Sequence, residues 1–415
     1  MRTQRLTVLL GAGGSIPLGV PCTAAITRRV LALDRDPDYL RFAAQGHYRP
    51  PFEAISALIA SARRTTHDGH DTTEPPNFEQ ILHALEALQG LVDHPPIVEA
   101  VLTAGLADGI KTLLQPSHNM SLASTYLLDT VRAMITSASQ VARGHPMWRA
   151  YSDFWHQLSE RFILDFVTLN YDTLTEDALP SLDDGFRPIL DEQSRRFDPA
   201  AFSSPPSNGR LIHLHGSVRF GYRPFHVNPN RFAFEDAHQD LYAYPTAEEA
   251  RGASGGATTE HRSQAGRTMN VGPIITGLQK TDKMVAAQPY MSYYHAATSC
   301  LLGTPRLLVI GYSFGDEHIS AWLARMPRIH GDRLRLGIID IAQEFASGRY
   351  RLTPRWVKSS LLLNRLSRSD DLDFIRRGII ESNPWVSPTR NCRVDLRGFL
   401  ASAGQCAEFI DFLGS

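Results

Sequence analysis

The sequence is poor in cysteine, in net charge and in long apolar runs. Its four cysteines, Cys22, Cys300, Cys392 and Cys406, contain no Cys-x-x-Cys pair, which argues against a zinc ribbon and against a disulfide framework. The 42 basic and 43 acidic residues nearly cancel, so no global charge recruits nucleic acid or a membrane surface. We therefore expect reduced thiols, no bound metal and a cytoplasmic location.

The apolar run near the N-terminus is short. Only the five residues from Leu6 to Leu10 precede a group of glycines, which is too few for the core of a signal peptide or for a membrane span. A chain of 415 residues can bury a large core. The length and composition together predict a one- or two-domain enzyme without a membrane partner.

Short apolar segments predict the strands of a parallel sheet. They are Leu6 to Leu10, Phe162 to Leu169, Leu211 to Leu214, Arg306 to Ile310 and Arg335 to Ile339. Each is followed by glycine or polar residues, as is typical of buried parallel strands. Open α/β sheets bind their ligands beyond the carboxyl ends of such strands. We predict an α/β fold with a Rossmann-like parallel sheet and a ligand site at that edge.

A helical pattern lies between the first two predicted strands. The segments Phe78 to Leu91, Ile97 to Leu114 and Leu122 to Ala142 carry apolar residues at spacings of three and four, which predicts amphipathic helices. These helices have more apolar surface than a small cap over one sheet needs, which favours an oligomeric interface.

The patterns divide the chain into predicted regions. A tract rich in Gly, Ser, Ala and Thr, centred on Arg251 to Ala257, predicts a flexible surface loop. The predicted regions are a Rossmann domain formed by 1–40 and 150–385, an inserted helical module at 41–149, the loop at 224–273 within the Rossmann domain, and a C-terminal segment at 386–415.

The first candidate binding segment is Gly11-Ala12-Gly13-Gly14-Ser15. Gly11 and Gly13 permit a close approach to a pyrophosphate, and a helix beginning after them would direct amide groups at its oxygens. The pattern departs from Gly-x-Gly-x-x-Gly because Ile16 occupies the third glycine position, and no acidic residue ends an obvious second strand about twenty residues later. By itself this turn is as compatible with a structural role, or with binding another nucleotide, as it is with binding a dinucleotide.

Two further segments follow predicted strands. Asn170 and Asp172 alone are typical of a turn or helix cap, although oxygens placed there can stabilise positive charge on a ribose. His215 can accept a proton near neutral pH. His213 lies two residues earlier, on the same face and deeper if the strand continues through both, and we predict that it is a core histidine.

These segments in combination resemble the sirtuin family. Gly11-Ala12-Gly13-Gly14-Ser15 with Gly19-Val20-Pro21 matches the sirtuin cofactor loop, Thr168-Leu169-Asn170-Tyr171-Asp172 resembles Thr-Gln-Asn-Ile-Asp, and Leu214-His215-Gly216 matches Leu-His-Gly. The resemblance implies the following roles: NAD binding by Gly11, Ala12, Gly13, Ser15 and Gly19, positioning of the ribose or water by Asn170, contact with the carboxamide by Asp172, and general-base catalysis by His215. Cys22-Thr23-Ala24 replaces the sirtuin Asp-Phe-Arg, so the roles of those three residues are not carried over.

A later segment extends the resemblance. Val309-Ile310-Gly311-Tyr312-Ser313-Phe314 is similar to the sirtuin strand that ends in Gly-Thr-Ser-Leu, which implies that Gly311, Ser313 and Phe314 hold the adenosine half of NAD. By the same resemblance, Asp340 is at the position where sirtuins have a residue near the adenosine ribose. The continuation Gly315-Asp316-Glu317-His318 resembles prokaryotic sirtuin-like defence proteins. Asp316, Glu317 and His318 also suggest a metal site, but we interpret them as helix capping and solvated charge.

The departures from the deacylating sirtuins shape the predicted reaction. Their four-cysteine zinc module, which supports the acyl-peptide groove, has no counterpart in this sequence, and water becomes the expected acceptor. The resemblance therefore implies hydrolysis of NAD, the substrate, to nicotinamide and ADP-ribose. It also implies a homo-oligomeric effector of anti-phage defence by abortive infection, of a kind that in some cases assembles with a HerA-type ring ATPase.

Two other classes of function remain open. The chain could be a protein deacylase or ADP-ribosyltransferase, in which a protein side chain replaces water. It could also be a non-catalytic sensor that binds NAD or ADP-ribose. Turnover of NAD without a protein substrate would separate hydrolysis from both.

Overall fold

The computed structural model describes the sheet and most of its surrounding helices. The described residues are 4–43, 55–56, 59–60, 77–92, 118–190, 192–223, 240–254, 259–262, 268–276, 280–341, 343–344, 350–351 and 384–415. The strands are β1 (Arg5–Leu10), β2 (Ile163–Thr168), β3 (Phe186–Pro188), β4 (Arg195–Phe197), β5 (Arg210–His213), β6 (Phe220–Gly221), β7 (Tyr242–Ala243), β8 (Thr259–Arg262), β9 (Thr268–Val271), β10 (Arg306–Ile310), β11 (Arg335–Ile339), β12 (Gln343–Glu344), β13 (Tyr350–Arg351), β14 (Trp385–Val386) and β15 (Cys392–Asp395). The helices are α1 (Thr23–Leu31), α2 (Pro37–Ala43), α3 (Phe78–Val92), α4 (His118–Ala142), α5 (Trp148–Arg161), α6 (Leu174–Ala178), α7 (Pro199–Ser203), α8 (Ala247–Ser254), α9 (Lys280–Met284), α10 (Tyr290–Gly303), α11 (Glu317–Leu323), α12 (Met326–His330), α13 (Phe399–Ala403) and α14 (Cys406–Gly414).

Seven strands form the central sheet, in the order β14-β15-β11-β10-β1-β2-β5. Neighbouring strands are parallel, except that β14 is antiparallel to β15. In the middle of the sheet, Leu9 of β1 pairs with Val309 on one side and Val167 on the other. All five strands predicted from the sequence lie in this sheet, and the predicted α/β, Rossmann-like fold is confirmed.

The sheet buries a separate apolar core on each face, because side chains alternate along a strand. Leu9 lies in one core together with Tyr293 of α10 and Leu323 of α11. Val8 belongs to the opposite core, where it packs with Trp155 of α5 and other residues. Because helices cover both faces of the sheet, the ends of the strands remain accessible.

A third apolar core lies among the helices of the predicted helical module. It contains Ile26 of α1, Leu82 of α3 and Leu127 of α4, together with Ile274 from outside the helices. The predicted helices that we now number α3 and α4 are confirmed, whereas the one predicted over 97–114 lies outside the described residues. Helix α1, which lies within the region 1–40 assigned to the Rossmann domain, packs in this core because its apolar stripe contacts α3 and α4.

Residues 240–254 do not form the predicted loop. Strand β7 pairs with β4 and β6, and helix α8 follows it. Tyr242 and Ala250 are buried together in a small apolar cluster. A Cβ atom at Gly221 would lie 2.7 Å from the Ala250 carbonyl oxygen, so small residues at this contact permit close packing. Composition alone did not distinguish this use of small residues from a loop.

The C-terminal segment, which we predicted to be separate from the Rossmann domain, completes its sheet. Strand β15 pairs with β11, and α14 packs under the sheet through Phe409. The apolar run of β15 is interrupted by Arg393 and Asp395, whose charges are neutralised by Glu408 and Arg397. Those charges removed the sequence signal of a buried strand. Among the helices of the described ranges, none combines the length and apolar character needed to cross a membrane.

Candidate active site

The predicted site residues follow β1, β2, β5, β10 and β11, at the carboxyl edge of the sheet. Backbone hydrogen bonds connect the loops that follow these strands. They run from Leu214 N to Thr168 O (3.0 Å), from Val218 N to Tyr171 O (2.9 Å), from Gly11 N to Ile310 O (2.9 Å) and from Gly311 N to Ile339 O (2.8 Å). A further bond, from Leu169 N to Leu10 O (2.9 Å), joins the β1 and β2 ends, so the five loops form one connected surface.

The glycines after β1 pack against the loop after β10. A Cβ atom at Gly11 would lie 2.6 Å from the Gly311 carbonyl oxygen, and one at Gly13 would lie 2.6 Å from the Gly311 Cα. Gly311 itself has a positive φ of 58°, and its own Cβ would lie 2.4 Å from the Gly13 Cα. Only glycine fits this backbone-to-backbone contact. We predicted that these glycines permit close approach of a pyrophosphate. In the structure it is the Gly311 backbone that lies this close to them.

The chain beyond Gly13 makes two short turns before the first helix. Two 3₁₀ turns, Ala12–Gly14 and Ile16–Leu18, follow β1, and α1 begins only at Thr23. Gly19 ends the second turn with a φ of 87°. The helix predicted to follow the glycine turn is therefore present, but its N-terminus at Thr23 does not directly follow the glycines. Ala12 and Gly19 are exposed and form the outer surface of the loop.

Asn170 connects the loop after β2 to the glycine loop. Its Nδ2 donates to the Gly11 carbonyl oxygen (3.1 Å) and to Ser15 Oγ (2.9 Å). The Ser15 hydroxyl in turn lies near the Asp172 carboxyl group and favours its ionised form. All three of these side chains are buried. Because the Nδ2 group holds the loop, Oδ1 is the atom of Asn170 that remains suited to accept from a ribose or water.

Asp172 has an unusual electrostatic environment. Burial raises the pKa of its carboxyl group to about 6, against the opposing effects of the Ser15 hydroxyl and of the Leu174 backbone N–H. The Leu174 N donates to Asp172 Oδ1 at 3.1 Å, so this carboxylate also caps a turn. A poorly solvated carboxylate interacts strongly with any positive charge that forms near it.

His215 lies in the turn after β5 and is 4% exposed. Its Nε2 has no hydrogen-bond partner among the described residues, and the nearest carboxylate oxygen is Asp316 Oδ1, at 3.9 Å. The pKa of His215 is lowered to about 3, chiefly by burial, with Lys280 adding to this effect and Asp316 opposing it. An unsatisfied buried polar atom costs about 1–3 kcal/mol. Nε2 of this neutral imidazole is thus suited to pair with a polar group of a ligand.

His213 is in the core, as predicted, although β5 ends at this residue and does not continue to His215. The His213 Nε2 lies 3.3 Å from Glu176 Oε1, and its ring lies 5.7 Å from that of Phe220. Burial opposes a charged imidazole, but the Glu176 carboxylate outweighs this effect and raises the pKa of His213. The sequence did not indicate Glu176 as the partner.

Asp316 differs from the capping role that we inferred. It occupies the N-cap position of α11 but makes no side-chain capping bond. Its backbone is held by Tyr312, whose hydroxyl accepts from Asp316 N (3.1 Å) and donates to Asp316 O (3.2 Å). Its carboxylate instead faces His215 and Lys280. No sequence signal identified Lys280, whose partners are all remote in the chain. The described part of the chain contains no His, Cys, Asp and Glu cluster suited to a metal.

The residues predicted to bind adenosine follow β10 and β11 at the carboxyl edge of the sheet. Ser313 is exposed, and Phe314 has a φ of 56° and a ring centroid 5.1 Å from that of Tyr312. Asp340 follows β11, where its Oδ1 accepts from Ile341 N at 2.8 Å. These three residues share the edge with the rest of the site, and their contact with adenosine stays a prediction.

Comparison with known proteins is consistent with this geometry. Residues 165–344 match the family model of the SIR2-like domain. The matched range contains the site residues Asn170, Asp172, His215, Gly311, Ser313, Phe314 and Asp340, and excludes the glycine loop. No curated protein matches the chain. The chain thus carries a region similar to the SIR2-like domain, which supports a sirtuin-like family and an NAD-related activity for this protein.

Proposed function

We propose that the protein is an NAD⁺ glycohydrolase, which cleaves NAD⁺ to nicotinamide and ADP-ribose. The observation that carries the proposal is the pair of hydrogen bonds from Asn170 to the glycine loop, with Asp172 near Ser15. On the same edge, His215 is buried and its Nε2 has no hydrogen-bond partner among the described residues. Dinucleotide-binding sheets place their ligands at this edge. The amide, carboxylate and imidazole required for glycosidic cleavage thus lie on connected loops.

The proposed reaction uses each group for one task. The bond between ribose C1′ and the nicotinamide nitrogen breaks, and its electron pair remains with nicotinamide, which leaves as a neutral molecule. Positive charge on the ribose is stabilised by the poorly solvated Asp172 carboxylate and by Asn170 Oδ1. Water then attacks C1′, and its proton passes to His215 Nε2 before release to solvent. The products are nicotinamide, ADP-ribose and one proton.

Nicotinamide release from NAD⁺ tests the proposal directly. We expect turnover without any protein substrate, and a loss by a factor of about 10² to 10⁴ in Asn170→Ala and in His215→Ala. His156→Gln changes an exposed histidine and is the matched control, with the parental rate expected. Circular dichroism and thermal unfolding would verify that each variant is folded. Parental turnover in both site variants would exclude the proposed roles.

The same assay separates the alternatives. A deacylase or ADP-ribosyltransferase would release nicotinamide only when an acyl-lysine or another protein acceptor is present. A sensor would bind NAD or ADP-ribose, measurable by calorimetry, without releasing nicotinamide. Hydrolysis by the purified chain, or by the chain with its partner, would favour the glycohydrolase over both.

We further propose the cellular role that the sirtuin-like resemblance implies, namely NAD depletion in anti-phage defence. A permanently active NADase would kill its host, so the free protein is expected to be a closed oligomer of low activity. A partner such as a HerA-type ring ATPase would then need a higher affinity for the active state than for the inactive one. Light scattering and NAD turnover, measured with and without the candidate ATPase, test this role. A fully active monomer would contradict it.

A further inference from the structure

One oxygen atom of Asp316 faces two basic groups. His215 Nε2 lies 3.9 Å from Asp316 Oδ1, and Lys280 Nζ lies 3.7 Å from the same atom. Both separations exceed a normal hydrogen bond. Although burial opposes ionisation, His215 and Lys280 lower the pKa of Asp316. Asp316 is therefore a carboxylate placed between two groups and hydrogen-bonded to neither.

Lys280 lies closer to Glu79 of the helical module than to Asp316. Its Nζ donates to both carboxylate oxygens of Glu79 in α3, at 3.1 and 3.0 Å. Burial disfavours the lysine charge, but Glu79 and Asp316 outweigh burial and raise the pKa of Lys280. Further along both helices, Lys283 of α9 forms a buried ion pair with Glu86 of α3. Two ion pairs therefore join α3 to α9.

The other titratable groups near His215 do not favour its positive charge as Asp316 does. The His318 ring centroid lies 6.3 Å from that of His215, and the pKa of His318 is itself lowered by burial. His318 and Lys280 both disfavour a positive charge on His215. Asp316 is the acidic group that favours it.

We propose that Asp316 is a positioning residue for His215, and that Lys280, held by Glu79, limits this pairing by competing for the same oxygen. While Lys280 engages Asp316, the imidazole stays neutral and unpaired. Withdrawal of Lys280 lets the carboxylate pair with Nε2 and stabilise a protonated imidazole. The contact between α3 and α9 thus controls how well His215 holds a proton. The consequence for catalysis rests on the proposed NAD hydrolysis, but the competition itself does not.

Histidine NMR tests the competition without any substrate. The full chain would be labelled with ¹³C-histidine, and the His215 signal would be assigned by its loss in His215→Gln. Between about pH 5.5 and 8, the wild-type signal should remain that of a neutral imidazole. In Lys280→Gln its proton affinity should rise by at least about tenfold, so the midpoint of its titration should move up by at least about one pH unit when the measurement is extended below pH 5.5.

The double variant identifies the carboxylate responsible. Adding Asp316→Asn to Lys280→Gln should remove the rise in the proton affinity of His215. Lys280→Arg, which keeps the positive charge, should not produce such a rise. Arg328→Gln removes an exposed positive charge and is the control for a general charge effect. If Lys280→Gln does not fold, Lys280→Met tests the same point. An unchanged His215 titration in the folded variant, or a rise that survives Asp316→Asn, would overturn the proposal.

Kinetics separate this proposal from the proposed function. Asp316→Asn should lower kcat by about tenfold or more with a smaller change in KM, because it acts through the imidazole and not through binding. The predicted NMR shifts in a protein without NAD turnover would contradict the hydrolase and leave the competition intact. Turnover that depends on His215 but not on Asp316, with no NMR shift, would support the hydrolase and contradict the competition.

Discussion

His213 and His215 are two residues apart and similarly buried, yet their surroundings give opposite charge preferences. The imidazole of His213 faces Glu176 at 3.3 Å, and the pKa of His213 is raised. The imidazole of His215 faces Asp316 at 3.9 Å, and burial lowers the pKa of His215 to about 3. Both rings lose hydration to a similar degree. The difference follows from the acidic partner, which is closer to His213 and is shared with Lys280 at His215.

The comparison distinguishes a structural histidine from a candidate catalytic one. A buried imidazole with a close carboxylate has its charge compensated and contributes to stability. A buried imidazole whose carboxylate is shared with a lysine remains neutral, with Nε2 suited to a ligand. Three predictions test this distinction, in order of decreasing expected effect.

The largest effect is expected from Glu176→Gln, which removes the compensating charge at His213. Breaking a buried ion pair by neutralising one partner is strongly destabilising. We expect a loss of about 3 kcal/mol in the free energy of unfolding, measured by urea denaturation at pH 6. Glu160→Gln changes an exposed glutamate and should leave stability within about 0.5 kcal/mol. Equal stability of the two variants would show that the His213 pair contributes nothing.

Asp172→Asn extends the comparison to a buried carboxyl group with neutral hydrogen-bond donors. Its pKa is about 6 in the folded protein and 3.8 ordinarily, so ionisation costs stability as pH rises through this interval. The variant should therefore be more stable than the wild type by about 2 kcal/mol at pH 7.5, with little difference at pH 4. It should also lose NAD hydrolysis. Urea denaturation at both pH values measures the effect, and a pH-independent difference would contradict its electrostatic origin.

The smallest expected effect is the opposite way in which the two histidines change the stability of the protein with pH. His215 ordinarily titrates at 6.5 but near 3 when folded, so only the unfolded chain gains its proton on acidification, and stability falls below pH 6.5. His213 behaves oppositely: its raised pKa stabilises the protein below pH 6.5, and this is lost as pH rises through the folded pKa.

Between pH 7.5 and 5.5, His215→Gln should therefore reduce the acid sensitivity of the unfolding free energy by about 1 kcal/mol. His213→Gln should increase it, by an amount that depends on the folded pKa of this residue. Denaturation curves at the two pH values provide the measurement. Changes of the same sign in both variants would remove the distinction between the two sites.

The strands of the sheet were predictable because each buried parallel strand is a short apolar run with a polar or glycine end. This rule found β1, β2, β5, β10 and β11, and with them the segments that follow. It missed β15, because Arg393 and Asp395 interrupt its apolar run and are neutralised by partners elsewhere in the segment. It also assigned the tract around α8 to a loop, since small residues signal turns and close packing alike.

The sequence by itself determined which polar residues follow the strands, because strand periodicity and parallel topology bring those ends to one edge. Only the tertiary structure decided what each residue faces. Gly11 and Gly13 meet the backbone of Gly311, and the Asp316 carboxylate faces His215 and Lys280 where we had inferred a helix cap. These partners are remote in sequence, and electrostatic energies depend on distance and burial, which a linear pattern does not contain.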